Sequence, residues 1–168
     1  MKGNIVVDSA KCISCHSCEI ACAVEHSRSK DLFQAIGEHP RPQKRIIVEC
    51  YGESNLPLQC RHCEEAPCVR ICPTGALVKE GVEGAVVLQD NLCIGCKWCV
   101  LVCPFGVITA APDDHSMIKC DLCPDRAAAG RLPACVESCP TGALQLSSTA
   151  QLARTKRREF LVEYLREQ

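Results

Sequence analysis

The chain has 168 residues, enough for one large domain or two small ones, with 19 basic and 20 acidic side chains and a formal net charge of -1. That balance offers no basic excess to a nucleic-acid partner, and no apolar run approaches the roughly 18 residues of a membrane span; both nucleic acid and direct membrane insertion are excluded. Only 4% of the residues are aromatic whereas 17 are cysteine, so large apolar rings cannot be the main substance of the core.

Taken in chain order, Ile5-Val6-Val7-Asp8 is strand-like and leads into a first cysteine group, Cys12-x2-Cys15-x2-Cys18-x3-Cys22. Ser29 to Ile36 reads as a short capped helix ending at Gly37, His39-Pro40-Arg41-Pro42 as extended chain and Arg45 to Tyr51 as a strand. The second group follows, Cys60-x2-Cys63-x4-Cys68-x3-Cys72-Pro73. Ala76 to Lys79 and Ala85 to Gln89 form a hairpin across a turn at Gly81-Val82-Glu83-Gly84, which feeds the third group, Cys93-x2-Cys96-x2-Cys99-x3-Cys103-Pro104. The fourth is Cys120-x2-Cys123-x11-Cys135-x3-Cys139-Pro140, followed by a strand at Leu144-Gln145-Leu146. A tail, residues 148–168, carries Leu152, Phe160, Leu161, Tyr164 and Leu165 at roughly helical spacing with Arg154, Lys156, Arg157 and Arg158 between them; such a helix packs on its own domain or docks a partner.

The chain repeats itself. Cys72-Pro73-Thr74-Gly75-Ala76-Leu77 recurs as Cys139-Pro140-Thr141-Gly142-Ala143-Leu144, with a looser copy at Cys103-Pro104-Phe105-Gly106-Val107-Ile108. In each copy proline stops a short helix, glycine permits a tight turn and a β-prone stretch follows.

Sixteen of the cysteines stand at metal-ligand spacing. The third group matches the bacterial [4Fe–4S] run C-x2-C-x2-C-x3-C-P residue for residue. A disulfide framework fits poorly, because the cysteine total is odd and Met1-Lys2-Gly3-Asn4 runs straight into a strand with no signal-peptide pattern. The same start makes the cytoplasm the expected compartment. Zinc fits poorly too, since it takes two Cys-x2-Cys pairs and has no use for the cysteine three residues beyond the third. In two-cluster ferredoxins the fourth cysteine of a run ligates the other cube. Applied here, that rule gives four clusters: Cys12, Cys15 and Cys18 with Cys139; Cys120, Cys123 and Cys135 with Cys22; Cys60, Cys63 and Cys68 with Cys103; Cys93, Cys96 and Cys99 with Cys72. All sixteen are used once. Cys50 is left over and reads as a small buried side chain on a strand. His16 and His62, inside ligand loops, are expected to hydrogen-bond near cluster sulfur. Four oxidised clusters add a charge of about -8, which Lys11, Arg61, Arg70, Lys97, Lys119 and Arg126 stand ready to offset in part. Metal would form part of the core, and the apo chain would be largely unfolded.

The fold class these observations imply is α+β: two bacterial-ferredoxin-like modules with pseudo-twofold symmetry, short helices and β-hairpins around four clusters, plus a C-terminal helix. The first and fourth groups make an outer, discontinuous module from residues 1–22 and 112–147, pairing residues near 4–8 antiparallel with residues near 143–147. The second and third make an inner module, residues 57–111. Residues 23–56 are an insertion.

With these motifs in hand, the chain resembles the four-cluster [4Fe–4S] electron-transfer subunits that serve the dimethyl-sulfoxide-reductase superfamily, formate dehydrogenases and hydrogenase complexes. Cys18-Glu19-Ile20-Ala21-Cys22-Ala23-Val24-Glu25-His26-Ser27 and Leu56-Pro57-Leu58-Gln59-Cys60-Arg61-His62-Cys63-Glu64-Glu65-Ala66-Pro67-Cys68 are similar to the small subunits of tungsten aldehyde oxidoreductase and carbon monoxide dehydrogenase. The resemblance implies an electron relay without a catalytic residue of its own. Its partners would be a tungsten, nickel or molybdenum catalytic subunit and a redox acceptor, in anaerobic metabolism. A free polyferredoxin carrier, or a conducting subunit that self-associates through its tail, are the alternative readings.

Overall fold

A computed structural model of the chain describes residues 3–52, 54–81 and 84–166. Met1 and Lys2, and Val82 and Glu83 of the expected hairpin turn, lie outside the described residues. Every sheet among those residues is a two-stranded antiparallel pair, and most helices are of four or five residues.

Strand β1 (Asn4–Val7) runs into a 3-10 turn at Ser9–Lys11 and then into α1 (Ser17–Glu25), which starts from His16 in the left-handed conformation. Helix α2 (Leu32–Ile36) is capped by Asp31, whose carboxylate accepts the Gln34 N–H at 3.0 Å. The cap falls two residues later than Ser29, because the aspartate supplies the acceptor that the first helical turn lacks. Strands β2 (Ile46–Tyr51) and β3 (Ser54–Gln59) form a hairpin that crosses the expected boundary between residues 56 and 57. Pro57 masks β3 in the sequence pattern. Then come α3 (Pro67–Ile71), the β4 (Leu77–Lys79) and β5 (Val86–Leu88) pair, a 3-10 turn at Asp90–Leu92 and α4 (Trp98–Val102). A small sheet of β6 (Thr109–Ala110) and β7 (Met117–Ile118) precedes α5 (Pro124–Ala128), α6 (Ala134–Glu137) and β8 (Leu144–Ser147). Helix α7 (Thr149–Arg166) ends the described chain.

The three cysteine–proline copies fold alike. Each short helix stops one or two positions before the cysteine, and the N–H groups of Gly75, Gly106 and Gly142 return to the carbonyls of Cys72, Cys103 and Cys139 at 3.3, 3.4 and 3.3 Å. These glycines have φ of +66°, +61° and +64°, a conformation that strains any side-chain-bearing residue.

The expected pairing of the chain ends is present: β1 and β8 are antiparallel, with Asn4 opposite Ser147 and Val7 opposite Leu144. Its detail matches that of the β4–β5 pair. Asp8 N–H donates to Ala143 O at 2.8 Å and Gln89 N–H to Ala76 O at 2.8 Å, and each donor is followed by a 3-10 turn into a cysteine group. Segments from opposite ends of the chain thus build what a local hairpin builds elsewhere.

Two apolar clusters carry the packing. One gathers Ile5, Ile46, Val48 and Leu144 with Cys18, Cys22, Cys120 and Cys135; the other gathers Ala66, Leu77, Val86, Ile108 and Met117 with Cys68 and Cys99. Cys60 packs against the first although its loop leads into the second, so it marks the seam between them.

Arg126 braces one flank. It is almost wholly buried and donates from Nε to Leu132 O at 2.7 Å, from one terminal nitrogen to Glu25 at 3.0 Å and from the other to Glu137. It thereby ties α1, α5 and α6 together. Arg126→Met is expected to destabilise the iron-loaded protein by about 1.5–3 kcal/mol, read as an earlier urea midpoint under anaerobic conditions; an unchanged midpoint would show the brace to be idle.

Helix α7 begins with a reciprocal cap, Ser148 Oγ accepting from Gln151 N–H at 3.3 Å and Gln151 Oε1 from Ser148 N–H at 2.9 Å. None of its described residues is buried. Of the two readings of the tail, packing on its own domain is therefore not what the structure adopts. No helix among the described residues is long and apolar enough to cross a membrane.

Candidate metal centres

The helix starts and left-handed loop residues arrange the cysteines. Ser14, His16, His62, Lys97, Leu122 and Cys123 all have positive φ, which curls each Cys-x2-Cys loop around a common centre. Every cysteine is a free thiol.

The cysteines gather in neighbourhoods that mix different groups. Cys12, Cys15, Cys18 and Cys139 line one cavity, with Ser14, His16 and Thr141 at its rim. Cys135 on α6 feels the charge of Cys120, Cys22 and Cys123 most strongly, and that of Cys18 after them. Cys60 stands beside Cys63 and Cys103, and Cys68 beside Cys60 and Cys103. Cys99 has Cys96 and Cys93 as neighbours, and Cys72 packs against the same apolar cluster as Cys99, as do Cys63, Cys93 and Cys103. Cys139, Cys22 and Cys103, each three residues beyond its own run, thus have thiols of another group beside them.

Exposure separates these neighbourhoods. Cys15 and Cys96 are exposed, whereas Cys120, Cys123 and Cys135 are buried. Burial pushes the Cys18, Cys68 and Cys123 thiols up to about 11 and Cys120 up to about 12, and drives Cys135 further still. Cys15 moves down instead, because the hydroxyl and N–H of Ser17 stabilise its thiolate. At Cys72 and Cys139 modest burial is outweighed by backbone N–H donors and the hydroxyls of Thr74 and Thr141, so these thiols also move down. A buried thiol that resists ionisation needs a cation to become a thiolate, which is what iron supplies.

The residues present fit that cofactor. The donor set is all sulfur, four thiols surround a cavity at Cys12, and backbone N–H groups already point at sulfur: Arg45 N–H at Cys22 Sγ, 3.2 Å, and His62 N–H at Cys60 Sγ, 3.4 Å. His62 adds an orphaned donor. Its Nδ1 accepts the Val86 N–H at 2.9 Å, which leaves the proton on Nε2, and that atom is buried without a partner among the described residues. Burial, reinforced by Lys119 and Lys79, holds the ring neutral by pushing it down to about 3.

One expectation needs correction. Cys50 is not buried: it lies at the outer end of β2, its Sγ 3.2 Å from Ser14 Oγ in the first ligand loop, because only the inner half of that strand faces the core. His16 lines the cavity of Cys12, Cys15 and Cys18, and its Nδ1 meets Glu19 Oε2 at 3.1 Å.

A supporting polar network escaped the motif reading. Glu19 accepts Val48 N–H at 2.7 Å and Lys44 Nζ at 2.7 Å, anchoring α1 to β2. Asp121 accepts from Cys123 N–H at 2.9 Å and pairs with Arg45 and with His26 Nε2 at 3.2 Å. Burial disfavours a charge on His26, yet Asp121 and Cys22 hold it up to about 9. The sequence signal for this network was an acid directly beside a ligand, in Cys18-Glu19 and in Cys120-Asp121-Leu122-Cys123.

Thiol groups at this spacing, in loops of this handedness and between paired β-ribbons, define a ferredoxin-like iron–sulfur protein. Residues 53–149 match the family described as 4Fe-4S dicluster domain, and residues 9–25 match a 4Fe-4S binding domain. An iron-sulfur protein of Rhodospirillum rubrum is 44% identical over 161 residues, covering 87% of this chain and 83% of that one. YnfG of Escherichia coli (strain K12), described as a probable anaerobic dimethyl sulfoxide reductase chain, is 36% identical over 161 residues, covering 87% of this chain and 73% of that one. Among solved structures, the active site complex BamBC of benzoyl coenzyme A reductase with benzoyl-CoA matches 98% of this chain and 96% of that one at 20% identity and a TM-score of 0.47, too low to carry weight. The chain belongs to the family of [4Fe–4S] electron-transfer subunits.

Proposed function

We propose that the chain is the electron-transfer subunit of a multi-subunit oxidoreductase, relaying single electrons through four [4Fe–4S] clusters between a catalytic metal subunit and an acceptor. The observation that carries this reading is the cavity that brings Cys139, from the fourth cysteine group, beside Cys12, Cys15 and Cys18 of the first. The ligand sets are those of the crossed wiring, within two ferredoxin-like modules related by pseudo-twofold symmetry. The outer is built from residues 1–22 and 112–147 and the inner from 57–111. The clusters supply one-electron redox chemistry when bound.

The chain's own residues insulate and position. Helix α1 carries both Cys18 and Cys22, so it joins the first two ligand sets; α3 and its cap carry Cys68 and Cys72, and α4 and its cap carry Cys99 and Cys103, joining the other two. Cys60, packed against the apolar cluster that holds Cys120, joins the halves. Exposed Cys15 and Cys96 then stand at the two ends of a line, where electrons enter and leave, and buried Cys120, Cys123 and Cys135 keep water from the middle. His62 Nε2–H is the donor available to cluster sulfur.

The partner is a catalytic subunit of the tungsten aldehyde oxidoreductase or nickel carbon monoxide dehydrogenase type, with a molybdenum formate-dehydrogenase type as the third case. Support for a partner comes from the relative YnfG, whose description makes it one component of a reductase, and from α7, which leaves Phe160, Leu161, Val162, Tyr164 and Leu165 exposed. A reducing compartment, the cytoplasm, suits seventeen free thiols.

Elemental analysis of the complex that co-purifies anaerobically from the native host tests the reading. About sixteen iron atoms per molecule with tungsten, nickel or molybdenum in a larger partner is the expected result. Iron alone and no partner would make the protein a free carrier. A truncation ending at residue 147 is expected to keep the iron and lose the catalytic partner; retention of the partner would move the docking surface elsewhere. The same truncation tests self-association through the tail, which predicts a smaller particle on gel filtration.

A further inference from the structure

Five of the six basic residues beside the cysteine groups have partners. Lys11 pairs with Asp8 at 2.8 Å, Arg70 with Glu65 at 4.0 Å, Lys97 with Asp114 at 2.6 Å and Arg126 with Glu25 at 3.0 Å, while Arg61 lies over the Phe105 ring. Lys119 differs. It is 3% exposed, its Nζ donates to Cys120 O at 2.6 Å and to Val86 O, and it makes no ion pair among the described residues. The acid two positions along, Asp121, is occupied by Arg45 and His26.

An ammonium taken out of water and given only carbonyl dipoles is strongly unfavourable unless an anion compensates it. Lys119 sits where such anions would be. It precedes Cys120 in the sequence, its charge bears on Cys60 and Cys68, and Cys60 packs against the cluster that holds Cys22, Cys120 and Cys135. Its position is over-determined. The carbonyl of Val86 accepts from Lys119 while the N–H of the same residue donates to His62 Nδ1, so one residue of β5 clamps the second ligand loop to the segment entering the fourth.

We propose that Lys119 is the internal counter-ion of the two central clusters, those of Cys60, Cys63, Cys68 and Cys103 and of Cys22, Cys120, Cys123 and Cys135, and makes both easier to reduce. The inference rests on the cluster assignment made above. Each oxidised cube with four thiolates carries a charge of about -2 and gains one more negative charge on reduction. A fixed cation in a poorly screened interior favours that gain, and its influence falls with distance, so the two outer clusters respond less. Lys119 touches no reacting atom of a substrate; it is a positioning residue that acts through the field.

The test uses the full-length protein prepared anaerobically as wild type, Lys119→Gln and Lys119→Arg, with iron and sulfide analysis and an EPR-monitored redox titration of each. Glutamine keeps a carbonyl-directed N–H and removes the charge; arginine keeps the charge. Expected is a shift to more negative potential in two centres of the glutamine variant, with the other two unmoved and the arginine variant near wild type. Loss of about half the iron in the glutamine variant, with full iron in the arginine variant, also supports a required charge. No shift at full iron, an equal shift in all centres, or the same defect in both variants would overturn the proposal. Iron well short of four clusters in the wild type would sink the cluster assignment and the proposal with it, whereas full iron with no shift sinks the proposal alone.

Discussion

Stripping the iron from the purified protein with a chelator is expected to unfold it, leaving at most residual helix from α7. Among the described residues, seven of the twenty-one that are buried and apolar are cysteines: Cys18, Cys22, Cys68, Cys99, Cys120, Cys123 and Cys135. The remaining elements have little independent stability. A two-stranded ribbon is marginal in water, and so is an isolated helix below about 12–15 residues; every sheet described is such a ribbon and α3, α4, α5 and α6 run to five residues or fewer. In the proposed wiring metal ligation would be the strongest link between segments as distant as Cys22 and Cys135, and its free energy would be folding free energy. Far-ultraviolet circular dichroism followed during chelation checks this. A native spectrum that persists after the iron has left would mean the apolar clusters hold the fold unaided.

Replacing single ligands is expected to separate the middle of the line from its ends. Cys135→Ser removes a thiol that is 5% exposed, crowded by Cys22, Cys120 and Cys123, and seated in the main apolar cluster. Serine there leaves a hydroxyl without a polar partner at the point where α1, α6 and β8 converge, and water cannot reach it. The holo protein should fail to accumulate. Cys15→Ser alters an exposed position at the edge of its cavity, where an emptied cluster site fills with solvent and no buried polar group is stranded. That variant should accumulate, resist proteolysis and lose about one cluster of four by iron analysis. Equal behaviour of the two variants would remove the distinction between buried and exposed centres.

Particular elements tell how far the sequence could be read. The β1–β8 pairing was legible because the same strand–cysteine and cysteine–strand grammar occurs nearby in the β4–β5 hairpin, so a local example served as template for a contact across the whole chain. The repeated Cys-Pro-x-Gly turns were legible for a similar reason: proline and glycine act through the backbone and need no neighbours. Strand β3 was hidden by Pro57, and β6 and β7 are only two residues each, too short for periodicity to register. The burial of Cys50 was misjudged because alternation along β2 predicts a face, while the core ends halfway along that strand.

The cysteine spacing by itself determined the cofactor class and the candidate ligands, because ligand spacing is covalent geometry carried within a dozen residues. It also determined that the ends of the chain must meet. Only the tertiary structure decided which centres are sheltered and which face outward, that α7 stands clear of the core, and that of six similar basic residues Lys119 alone is buried without an acid. Those properties depend on which distant segments pack together. A lysine before a cysteine has the same spacing whether its ammonium ends in solvent or on buried carbonyls, and the electrostatic consequence differs entirely.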